Sequence, residues 1–117
     1  MQFLPPTTTD ILFLEAEKEN LYPKLVEQIN KDFNSANEPI DFHSSTKPEE
    51  LKIQLHEKMY RLIQYKFAEY LNLLYIIDVP EDQVKKLDGS DINELSAQVA
   101  FLILKREWMK VWFRNRY

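Results

Sequence analysis

The chain has 117 residues, a formal net charge of −4, 44% hydrophobic residues, one glycine and no cysteine. That length and apolar content support a single domain, residues 1–117, with its own core, and make disorder the wrong default. The missing cysteines exclude a disulfide framework and Cys-ligated zinc and fit a reducing cytoplasm, while the acidic balance argues against a dedicated nucleic-acid binder.

Residues 1–9 read as an extended lead stiffened by Pro5 and Pro6, with Phe3 and Leu4 available to pack on the body. They carry neither the basic start nor the apolar run of a signal peptide. Ile11, Leu12, Phe13 and Leu14 suit a strand or a helix start, because periodicity over so short a run does not separate the two. The acidic and basic residues that follow favour a helix. Ile11, Leu14, Leu21, Leu25, Ile29 and Phe33 share a helical stripe that Pro23 interrupts. The prediction is a broken N-terminal helical arm over residues 10–34, with the break near residues 20–23 and Asn20 capping its second piece. Residues 35–46, rich in Ser, Asn and Pro, read as a loop. A short bridge from Ile40 and Phe42 to residues 11–14 is the less favoured reading.

Residues 47–77 form the longest amphipathic pattern and are predicted to be one central helix. Thr46 and Glu49 have capping-box spacing around Pro48. Leu51, Leu55, Met59, Leu62, Ile63, Phe67, Tyr70, Leu71, Leu74 and Ile77 recur at spacings of three and four. Asp78, Pro80 and Glu81 repeat the arrangement of Thr46, Pro48 and Glu49, which predicts a short helix over residues 80–87. Ser90 or Asp91 then caps a final helix over residues 91–115. The longest apolar runs, residues 73–77 and 99–104, are far below the ~20 residues of a membrane-spanning helix.

The final helix has two apolar faces. Ile92, Leu95, Val99, Leu102, Ile103, Met109 and Phe113 lie on one side, and Ala97, Phe101, Leu104, Trp108, Val111 and Trp112 on the other. A helix apolar on two faces must be covered on both. Residues 70–77 are likewise apolar nearly all round. Together these features predict a homodimer, with Phe101, Leu104, Trp108 and Trp112 as its candidate interface; a monomer covered by its own N-terminal helices is the alternative.

Charges on apolar stripes mark the candidate site. Lys66 sits in the middle of the central stripe, His56 within it and Glu69 beside it, and Arg106 lies on one face of the final helix. A buried charge without a partner is costly, so these groups should pair or reach water along their stems. The functional reading gathers Lys66, Arg106, Glu69, His56 and Tyr70 around an anionic ligand. The structural reading is an Arg106–Glu69 ion pair and a Lys66 that reaches solvent, and it is the preferred one.

Motifs for catalysis are lacking. His56-Glu57 begins like a zincin helix, but Tyr60 stands where the second histidine is required, so no metal is expected. One glycine cannot build a phosphate-cradling loop or a dinucleotide fingerprint, and no glycine-flanked serine elbow exists. No cofactor is expected. The acidic pairs at Glu49-Glu50 and Glu81-Asp82 suit helix first turns. Glu49-Glu50 resembles the opening of the magnesium motif of helical nucleotide pyrophosphohydrolases of the MazG type. Ile53 stands where that motif requires a third glutamate, and the later Glu-x-x-Asp is missing.

Residues 1–90 carry 10 Lys/Arg and 16 Asp/Glu, whereas residues 91–117 carry 5 and 3. The C-terminus is thus basic as well as aromatic. Val111-Trp112-Phe113-Arg114-Asn115-Arg116 resembles the core of a homeodomain recognition helix, which would make Asn115 a base reader. No helix-turn-helix precedes it and Tyr117 replaces the second arginine, so the resemblance is read as coincidental. The overall expectation is an all-α helical bundle, an interaction or structural module rather than an enzyme. A binding module for a small anion or nucleic acid, through Lys66 and Arg106 or the basic C-terminus, is the alternative; an enzyme with dispersed catalytic residues is third.

Overall fold

The computed structural model describes residues 2–116; Met1, in the expected extended lead, and Tyr117 lie outside that range. Among the described residues there are six helices and no strand: α1 (Thr9–Lys18), α2 (Tyr22–Ser35), α3 (Pro48–Tyr65), α4 (Phe67–Ile77), α5 (Glu81–Lys85) and α6 (Ile92–Arg114). The fold is all-α, and residues 11–14 are helical.

Polar side chains decide where several helices start. Thr8 caps α1 by accepting from the Ile11 amide at 3.1 Å. Asp91 caps α6 by accepting from the Asn93 and Glu94 amides at 2.8 and 3.2 Å. The expected capping box at Thr46 does not form. The Thr46 hydroxyl instead accepts from the His43 amide at 3.0 Å, tightening the preceding turn, and Lys47 precedes α3 with no side-chain cap.

Helix ends are set by left-handed residues. Asn20, Asn37 and Asp78 have φ of 57°, 60° and 69°. Each is followed by a residue whose amide reaches back over the last turn: Leu21 to Ala16 O at 2.8 Å, Glu38 to Phe33 O at 2.9 Å and Val79 to Leu74 O at 3.0 Å. This is the Schellman arrangement, normally closed by glycine. A chain with one glycine uses Asn and Asp, whose short polar side chains tolerate that conformation. Asn20 therefore ends α1 rather than capping α2, and Pro23 sits in the first turn of α2, where its missing N–H leaves no bond unmade.

The loop between α2 and α3 makes no bridge to residues 11–14. The Asn30 side chain takes the place of a strand: its Nδ2 donates to Phe42 O at 2.7 Å and its Oδ1 accepts from the Phe42 amide at 2.9 Å. Phe42 is thereby held in the core.

The predicted central helix is two helices. Lys66, at φ −140° and ψ 59°, separates α3 from α4. No Gly or Pro lies near the break. The stripe itself supplies the reason. Leu62 and Ile63 before it and Tyr70 and Leu73 after it are buried, so a straight helix would carry the Lys66 ammonium into the core. The break lifts Lys66 outward.

The central element is α6, which touches every other helix and packs most extensively against α3. Trp108 is fully enclosed at its middle. Leu104 and Trp112 are also buried within the single chain, and Phe101 is only half-exposed. Three of the four residues expected at an interface, Leu104, Trp108 and Trp112, are core, in the helix that α1, α2 and α3 pack against; Phe101 stays partly exposed. Near the chain ends, the Phe3 ring meets the edge of Trp112 at 5.2 Å.

Candidate functional site

Lys66 and Glu69 interact electrostatically, but Arg106 and His56 make their contacts elsewhere, at Asp78 and Asn93. Lys66 is held by Glu38, 2.7 Å from Oε2, and Lys58 reaches Oε1 of the same carboxylate at 3.1 Å. Glu38 is fixed by its own amide bond to the end of α2. Burial raises its pKa, but the hydrogen bonds and charges of Lys66 and Lys58 outweigh that and hold it below the usual carboxylate range. Glu38 in turn raises the Lys66 pKa through its hydrogen bond, with a further electrostatic contribution from exposed Glu69.

Arg106 pairs with Asp78 at 2.8 Å, not with Glu69. The αL end of α4 turns the Asp78 carboxylate toward α6, whereas Glu69 lies in the exposed first turn of α4. Arg106 also donates to Met109 Sδ at 3.1 Å. His56 Nε2 lies 3.0 Å from Asn93 O, tying α3 to the start of α6. Tyr70 is buried, and burial raises its pKa. Among the described residues, no group of three His, Asp or Glu side chains is placed to hold a metal ion. No helix among them is long and apolar enough to cross a membrane.

A second polar cluster, between α2 and α6, was not anticipated. Gln28, Asp32 and Glu107 are all buried, Glu107 completely. Lys110 Nζ lies 2.8 Å from Asp32 Oδ2 and 3.4 Å from Glu107 Oε1. Gln28 Nε2 donates to Asp32 at 3.1 Å. Two carboxyl groups thus share one ammonium. Burial first, then hydrogen bonding to Asp32 and its like charge, push Glu107 up to about 9; Lys110 offsets only part of this. Asp32 moves the other way. Burial raises it, but hydrogen bonds from Glu107, Lys110 and Gln28 and the charge of Lys110 prevail, and its pKa is lowered. At neutral pH the raised pKa keeps Glu107 protonated beside an ionised Asp32. Among the described residues both Glu107 oxygens are buried without a hydrogen bond, which disfavours the ionised form.

An apolar stripe lies exposed on α4. Phe67, Leu71 and Tyr75 are 54%, 50% and 83% exposed. Their spacing of four residues places them along one outer stripe. At its C-terminal end a groove of about 520 Å³ is lined by Leu71, Leu74, Tyr75, Val79, Pro80 and Val84, among others. Of the stripe expected from the sequence, Tyr70, Leu74 and Ile77 are buried, joined by Leu73, whereas Phe67 and Leu71 face outward.

Comparison with known protein families, with curated proteins and with solved structures returns no match to this chain.

Proposed function

We propose that the chain is a non-enzymatic interaction module that acts as a homodimer through the outer face of α4. The observation that carries this reading is the exposed stripe of Phe67, Leu71 and Tyr75. The stripe is symmetric about Leu71. Two copies of α4 packed antiparallel across a twofold axis bring Leu71 against the partner's Leu71 and Tyr75 against the partner's Phe67. The groove beside Tyr75 then lies where the partner's Phe67 can fill it, so knob and hole are supplied by the same surface. Burying these side chains removes apolar area from water, the usual driving force of association. The cysteine-free composition fits a reducing cytoplasm, the compartment we assign.

Sedimentation velocity over a concentration series tests the reading. The expected result is a monomer–dimer equilibrium in the wild type that Leu71→Glu shifts to monomer without changing the far-ultraviolet circular dichroism. A wild type that remains monomeric at high micromolar concentration contradicts it.

A further inference from the structure

A different surface carries the charge. Arg106, Lys110 and Arg116 of the basic C-terminal stretch meet carboxylates, namely Asp78, Asp32 and Glu19. Lys105 lies over the Phe101 ring at 5.6 Å. Arg114 differs: its Nη1 donates at 2.7 Å to the neutral amide oxygen of Gln28, and among the described residues no carboxylate pairs with it. Among the described residues its positive charge is held in place but not neutralised by a carboxylate.

The hold on Arg114 is built from the core outward. Gln28 is buried, and its amide is oriented by donating Nε2 to Asp32. Asp32 is in turn fixed by Lys110, whose Nζ donates to its Oδ2 at 2.8 Å. The exposed guanidinium therefore stands on an ordered polar chain rather than on a free stem. Lys24 and Lys31 lie four residues before and three residues after Gln28, on the same face of α2. With Arg114 and Asn115 they line a groove of about 330 Å³ between α2 and the end of α6. Glu27 is the one carboxylate lining it, and its contact with Lys24 is long, 3.9 Å, and exposed. Three cations thus face one carboxylate in a chain of net charge −4.

The end of a helix ordinarily repels an anion through its free carbonyls. Here Asn115 covers one carbonyl of the last turn: its amide and its Nδ2 donate to Val111 O at 3.1 and 2.8 Å. The guanidinium offers a planar fork of donors suited to two oxygens of one tetrahedral anion, and flanking ammonium groups add charge.

We propose that this groove binds a small phosphate monoester, with Arg114 as the fork and Lys24 and Lys31 as its flanking charges. The groove is open to solvent and larger than a phosphate, which leaves room for the organic part of the ester.

Phenyl phosphate, followed by ¹H–¹⁵N correlation spectra of the full chain, is the probe. Saturable shifts are expected for the Gln28, Lys31, Arg114 and Asn115 amides and the Arg114 Nε–H, with phenyl phosphate binding more tightly than inorganic phosphate. Arg114→Gln should weaken binding at least about tenfold, as expected for loss of a charged hydrogen-bonding group. Gln28→Met should weaken it less and broaden the Arg114 Nε–H signal, the mark of a positioning residue. Lys52→Gln, remote from the groove, should leave it unchanged. Thermal melts establish that each variant is folded. Shifts that chloride reproduces at equal ionic strength, or binding that Arg114→Gln leaves intact, would overturn the proposal. Dimerisation through α4 does not enter these readouts.

Discussion

α6 and α4 both carry more apolar surface than one neighbour can cover, and the fold treats them differently. α6 runs through the middle of the bundle, where α1, α2 and α3 enclose Trp108, Leu104 and Val111. It is so well enclosed that even a carboxyl group, Glu107, is sealed beside Trp108. α4 sits at the edge. It covers Tyr70, Leu73, Leu74 and Ile77 and leaves Phe67, Leu71 and Tyr75 facing out. Apolar residues on two sides of a helix are therefore no guide to an interface by themselves. What decides is whether the helix lies inside the stack or on its rim.

The sharpest way to break this contrast is inside α6. Trp108→Ala should destabilise the fold by about 3–5 kcal/mol in urea titrations, the range for a large aromatic removed from a closed core, and should leave self-association of the folded protein unchanged. If it instead abolished association and spared stability, α6 would be the interface. Lys110→Met comes next. It removes the single cation from a buried carboxyl pair and should cost about 3 kcal/mol at neutral pH, typical of breaking a buried ion pair by removing one partner.

The same cluster predicts an unusual pH profile. Glu107 has a folded pKa of about 9, against an ordinary value of 4.5. Between those values the folded chain binds more protons than the unfolded one, so stability falls as pH rises, by up to ~1.4 kcal/mol per unit. Asp32 and Glu38 act oppositely. Their lowered pKa values stabilise the fold above the ordinary carboxylate range, and that contribution is lost on acidification. Chemical denaturation from pH 5 to 9 should show the alkaline decline. Glu107→Gln should flatten it, since an amide of the same shape does not titrate. The smallest effect on folding belongs to α4. Leu71→Glu, on the exposed face, should change unfolding free energy by no more than about 0.5 kcal/mol, as surface substitutions usually do, while removing the dimer.

The helices themselves were legible because periodicity, prolines and caps are local signals. Pro23 marked the break between α1 and α2, and Asp91 marked the start of α6. The break at Lys66 went unread although its reason, a cation on an apolar stripe, lies in the sequence; the partner that Lys66 then meets, Glu38, is 28 residues away. A cation on the stripe did announce that a partner must exist. Its identity depended on the left-handed turn at Asn37, which places Glu38. Glu107 gave a signal that went unused: it lies three residues after Leu104 and four before Val111, on a buried face. The paired state of Asp32 and Glu107 depends on how α2 docks on α6, and no spacing within either helix encodes that. Phe67 and Leu71 were misplaced because one stripe was extended through a helix that is broken.

The most direct measurement uses the absence of cysteine. Leu71→Cys gives a chain with a single thiol at the proposed twofold axis, and mild oxidation reports whether two such thiols meet. Disulfides form only when Cα atoms approach within roughly 4.4–6.8 Å. The prediction is rapid conversion of Leu71→Cys to a covalent dimer on a non-reducing gel, with Phe101→Cys remaining monomeric under the same conditions. A Leu71→Cys chain that stays monomeric while Phe101→Cys crosslinks would contradict the assignment of α4 as the dimer face.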